Sequence, residues 1–79
     1  MKDEIELLDV VALLEDLPGR SLYRGQVGTV VELLAPKVYE VEFIDDAGQT
    51  YASLALRAEQ LMVLRHEPAL FESVSVARQ

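Results

Sequence analysis

The chain has no cysteine and no tryptophan, one histidine, and half as many basic as acidic residues across its 79 positions. Without cysteine, neither disulfides nor thiolate metal sites can staple it. A single histidine, His66, excludes the usual multi-histidine metal centres. No apolar run exceeds five residues, far below the roughly 20 needed for a membrane-spanning helix. The stretch Met1 to Glu6 has one basic and three acidic residues and no apolar core. It does not read as a secretory signal, and the expected location is cytoplasmic.

Aspartate and glutamate number 14 against 7 lysines and arginines, a net charge of −7. Nucleic-acid affinity rests largely on basic side chains displacing counterions from phosphates, so an acidic chain starts at a disadvantage there. The same charge discourages binding to anionic membranes and leaves room for a basic partner. A chain of this size makes one domain and buries only about 60–65% of its unfolded surface. Its stability must come from apolar packing, for which a hydrophobic content of 51% suffices.

The clearest local signal is Val38 to Ile44. Tyr39, Val41 and Phe43 alternate with Glu40 and Glu42, the period-2 pattern of a strand with one buried and one wet face. Asp45-Asp46-Ala47-Gly48 reads as a hairpin loop with Gly48 in the left-handed position. Thr50 to Leu56 returns as a strand, with Thr50, Ala52, Leu54 and Leu56 expected inward and Tyr51 and Ser53 outward. Upstream, Thr29 to Leu34 is a strand launched by Gly25 and Gly28, glycines that suggest a bulge or a sharp corner where a side chain would clash. Ala35-Pro36-Lys37 turns the chain between these strands. Asp9 to Leu14 is open to strand or helix, but the β-branched pair Val10-Val11 favours a strand. Leu17-Pro18-Gly19 opens a loop over residues 16–25. Arg57 to Gln60 fits one helical or 3₁₀ turn, and Leu61 to Leu64 a last short strand. The expected organisation is an N-terminal extension over 1–8, a β unit over 9–65 and a tail over 66–79.

Five short strands with a glycine corner predict an all-β fold, a small five-stranded, partly open barrel, and the long first loop and the helical turn before the last strand make that order resemble an SH3-like barrel. Within that order, Asp9-Val10-Val11-Ala12-Leu13, Asp16-Leu17-Pro18, Gly25-Gln26-Val27-Gly28-Thr29-Val30-Val31-Glu32, Tyr39-Glu40-Val41-Glu42-Phe43 and Gly48-Gln49-Thr50 resemble a small bacterial family catalogued as a domain of unknown function, DUF4926. The resemblance spans roughly residues 8–64. It implies the SH3-like fold and brings no activity, cofactor or site. The stretch Gly25-x-x-Gly28-Thr29-Val30 is also similar to the second half of the KOW motif of ribosomal and transcription-associated proteins. Signalling SH3 domains dock proline-rich helices on tyrosine and tryptophan grooves. With no tryptophan and no Ala-Leu-Tyr-Asp-Tyr-like stretch, such a slot is hard to build here.

Candidate chemistry is sparse. Asp45 and Asp46 with Glu40 and Glu42 lack the EF-hand spacing, and calcium wants about six to eight arranged oxygens. Adjacent acids on a hairpin are ordinarily turn residues. Glu40 and Glu42 share a wet face rather than a cleft that would separate their pKa values. His66 reads as a surface residue, and Ser21, Ser53, Ser73 and Ser75 have no histidine–acid pair near them in sequence. Neither enzymatic activity nor any cofactor or metal is expected. The best contact candidates are Arg20, Tyr23 and Arg24 in the first loop, joined by Tyr51, because rigidly held loops carry function and Arg and Tyr are enriched at binding hot spots. The competing reading makes Tyr23 a half-buried plug of the barrel. The favoured expectation is an interaction module that binds a protein partner or serves as an accessory subunit. The alternative is a KOW-like nucleic-acid binder using Arg20, Arg24, Lys37 and Arg57. The tail carries Leu70, Phe71, Val74 and Val76, too apolar for a typical disordered segment. It is a candidate for packing back on the barrel or for homodimerisation by strand addition.

Overall fold

The alternation in Val38 to Ile44 becomes a strand over those same residues, with Tyr39, Val41 and Phe43 buried and Glu40 and Glu42 on the other face. It is β3 of five strands in a computed structural model that describes residues 4–64. The others are β1 (Val10–Leu13), β2 (Val27–Ala35), β4 (Thr50–Arg57) and β5 (Leu61–Val63). They form one antiparallel sheet in the order β4-β3-β2-β1-β5. Single 3₁₀ turns, Pro18–Arg20 and Ala58–Gln60, stand in the β1–β2 loop and before β5. Expectations placed on His66, Ser73, Ser75 and the tail lie outside the described residues.

Strand β2 serves two ladders. Thr29 pairs with Val10 of β1 and with Glu42 of β3, so the strand hands over from one neighbour to the other at that residue. Register shifts at Val30/Glu32 and Leu33/Ala35 insert extra residues in β2, the kind of irregularity that bends a strand and sharpens its twist. Gly28 lies inside β2, which begins at Val27, two residues before the start expected at Thr29. A β-carbon there would meet Val41 Cγ1 at 2.8 Å, the Glu42 carbonyl oxygen at 2.9 Å and Phe43 Cδ2 at 3.0 Å. Glycine is therefore required by the close approach of β3. Gly25 is different: nothing stands near its missing side chain, and its need is a φ of 93° in the turn that leads into β2.

Inside the curled sheet sit Val11, Leu13, Leu22, Val30, Tyr39, Val41, Phe43, Leu54, Leu56 and Leu61, with Ile5 and Leu17 packed against them. Fully burying side chains of this size is worth about 1.5–3 kcal/mol each before entropy is counted. Ile5 brings the N-terminal segment onto the core. The segment is fixed by Leu8 N–H to the Val30 carbonyl at 2.7 Å and by Glu6 N–H to Asp9 Oδ2 at 2.8 Å.

The hairpin β3–β4 forms as the acids at its tip dictate. Asp45 Oδ1 accepts the N–H groups of Ala47 and Gln49, and Gly48 takes φ 83°. One inward assignment is corrected. Thr50 is exposed, because a register shift between Phe43 and Ile44 places it opposite Ile44, and its hydroxyl donates to Glu42 Oε2 at 2.7 Å. Ala52, Leu54 and Leu56 do turn towards the core, while Tyr51 and Ser53 face solvent.

At the far end, Gln60 is the one polar side chain among the buried described residues. Its Oε1 accepts the Arg57 N–H at 2.8 Å, capping the 3₁₀ turn, and its amide donates to Glu15 Oε2 at 2.9 Å. Both ends of the amide are thus satisfied, as burial demands.

Candidate surface around Tyr23 and Tyr51

The β1–β2 loop is held shut from within. Leu17 and Leu22 exchange backbone hydrogen bonds at 2.7 and 3.2 Å around the 3₁₀ turn, and Ser21 takes a left-handed φ of 58° to bring the chain back. Leu22 is fully buried. It is the side chain that plugs the core beneath this loop. Its neighbour Tyr23 is 50% exposed, half-buried and half open to solvent.

From that anchor the loop presents its side chains outward. The Arg24 N–H donates to Asp16 Oδ1 at 2.9 Å, tying the two arms of the loop together. Gln26 bridges loop and sheet: its Oε1 accepts the Tyr23 N–H, and its amide donates to the Tyr51 hydroxyl at 2.8 Å. Behind Tyr51 stands the buried Phe43 ring, centroid to centroid 6.4 Å and tilted by 42°, a favourable aromatic geometry. Tyr51 is 47% exposed. This Gln26 latch ties the Tyr23 backbone to the Tyr51 hydroxyl, from a distant segment, and both rings are half-exposed. Arg20 and Arg24 are exposed on the same loop. Gln26 escaped sequence reasoning, since nothing in a lone glutamine between glycines announces a bridging role.

The other basic candidates lie elsewhere in the chain's course. Lys37 and Arg57 line an open depression of about 400 Å³ with Pro36, Val38, Ala58 and Glu59. Arg57 Nε is paired with Glu59 Oε2 at 3.0 Å. The four residues expected of a nucleic-acid binder thus fall into two pairs, one of them partly neutralised.

The acids on the outer face of β3 are engaged with β4: Ser53 Oγ donates to Glu40 Oε2 at 2.6 Å, as Thr50 does to Glu42. Among the described residues, no three histidine, cysteine or acidic side chains converge as a metal site would require. No described helix is long and apolar enough to cross a membrane.

The family model described as Domain of unknown function (DUF4926) matches residues 7–63, from just before β1 to the end of β5. The chain belongs to that family. The matched span of this DUF4926 domain includes every strand of the described residues, and Tyr23 and Tyr51. No curated protein and no solved structure matches the chain.

Proposed function

We propose that this chain is a small SH3-like interaction module that binds a protein segment, or docks as an accessory subunit, through Tyr23 and Tyr51 flanked by Arg20 and Arg24. The strand order, with a long loop after β1 and a 3₁₀ turn before β5, supports the SH3-like reading. The observation that carries the binding role is the Gln26 latch, which fixes the loop backbone at Tyr23 against the Tyr51 hydroxyl of β4 while both rings stay half-exposed. Tyrosine offers a large apolar ring and a polar tip at low conformational cost. A loop already fixed by Leu17–Leu22, Asp16 and Gln26 loses little entropy when a partner arrives. No bond-making step is part of this role.

The test is a photo-crosslinking residue placed at position 23 of the full chain in its native cell, with the same residue at position 53 as a control. A protein captured reproducibly at 23, not at 53, and lost with Tyr51→Ala is the expected result. Capture of no protein, or retention of RNA or DNA that falls steeply with salt as phosphate contacts require, overturns it.

A further inference from the structure

The outer face of the β2–β1–β5 half is apolar across three strands. Ala12 pairs with Val27 on one side and Met62 on the other, so these three share a face. The next row holds Thr29 and Val10, with the Leu64 N–H donating to the Val10 carbonyl at 2.8 Å. Val10, Leu14, Val27, Met62 and Leu64 are each between 42% and 49% exposed. No charged residue of β1, β2 or β5 occupies these rows, and beyond Thr29 the second row meets Glu42 of β3 at the rim. Contiguous apolar surface rimmed by polar groups marks a site that something covers.

The same chain carries a segment of matching chemistry outside the described residues. It continues from Leu64, at the margin of this face, through residues 65–79. That segment contains Leu70, Phe71, Val74 and Val76, and its Arg65 and Arg78 balance Glu67 and Glu72. The whole net charge of −7 therefore resides in the rest of the chain, and the segment is the neutral part best suited to an uncharged surface. Reach is sufficient: an extended chain covers about 3.3 Å per residue, and three strands are about 10 Å across.

We propose that the C-terminal segment folds back over the outer face of β2–β1–β5 in the same molecule, seating Leu70 and Phe71 against Val10, Val27 and Met62. This cover uses none of the residues of the proposed contact surface, so either reading can fail without the other.

Because the chain has no tryptophan, Phe71→Trp in the full chain provides a single fluorescent reporter. Its emission should lie to the blue of the same chain in denaturant and should not change on dilution. Adding Met62→Lys should return it to the solvent-exposed position while the far-ultraviolet circular dichroism of the sheet is retained. Should Met62→Lys unfold the sheet, the milder Met62→Gln must still produce part of that return. Solvent-exposed emission in the folded parent overturns the proposal. So does a blue shift that survives the Met62 variants. A blue shift that grows with concentration, with a doubled mass in light scattering, overturns it in favour of a second copy.

Discussion

Strands β1 and β3 flank the same strand, β2, yet their sequences follow different rules. β3 alternates, and its outer face is a polar lattice in which Glu40 and Glu42 accept hydroxyls from Ser53 and Thr50 of β4. β1 does not alternate: Val11, Ala12 and Leu13 are all buried, and the outer face around Ala12 is built from Val27, Met62, Val10 and Leu64. Alternation announces a strand with one wet face, whereas an unbroken apolar run announces a strand covered on both. The two halves of one sheet thus place opposite demands on their surroundings. One is finished by water and the other calls for a cover.

The joint between the halves is the place to break this comparison most severely. Gly28 pairs with Val11 of β1 while its missing side chain lies under Val41 and Phe43 of β3. In Gly28→Ala the new methyl meets backbone as well as side chains, so the site cannot simply relax. A loss of about 2–3 kcal/mol is expected, at the upper end for overpacking, read as a lower urea midpoint. The fall should occur in one transition seen alike by circular dichroism and tyrosine fluorescence. Two separate transitions would show the halves to be independent units and dissolve the argument that β2 couples them.

A smaller effect is expected at Gln60, which fastens the dry half through Glu15 and the Arg57 N–H. Gln60→Ala leaves both partners short of a bond in a part-buried site. The expected loss is about 1–2 kcal/mol, with amide exchange quickened first at Arg57 and through β5. Unchanged exchange there would mean that apolar packing alone holds the last strand.

Much of this division was legible in the residues. The limits of β3, the tip of its hairpin and the 3₁₀ turn before β5 follow from period-2 alternation, turn acids and a lone short polar stretch, all of them local signals. What sequence could not supply is contact between distant segments. Gly28 reads as a corner because the approach of β3 is invisible until the sheet is assembled. Thr50 reads as inward because the register shift opposite Ile44 breaks the alternation without marking the sequence. Leu22 gives no sign of its core position, because the Leu17–Leu22 bridge that turns it in forms only in the folded loop. Of the candidate surface, Arg20, Tyr23, Arg24 and Tyr51 stand out by residue type, while the Gln26 latch between the Tyr23 backbone and the Tyr51 hydroxyl depends on a hydrogen bond 25 positions along the chain. The dry outer face did leave a signal in the unbroken runs Val10 to Leu14 and Leu61 to Leu64.

A matched pair of exchanges tests the contrast most directly. Ala12→Ser puts a hydroxyl into the dry face, where Ala12 is only 6% exposed between Val27 and Met62. About 1 kcal/mol should be lost, since a hydroxyl leaves water there without an assured partner. Ser53→Ala makes the reverse change on the wet face. It removes the bond to Glu40, but that carboxylate stays solvated and the residue is exposed. The shift should stay within about 0.5 kcal/mol, as for most surface substitutions. Both are measured by urea unfolding of the full chain under one buffer. If Ser53→Ala proves the costlier of the two, the polar lattice on β3 is structural rather than solvent-finished, and the division of the sheet into a wet and a dry half does not hold.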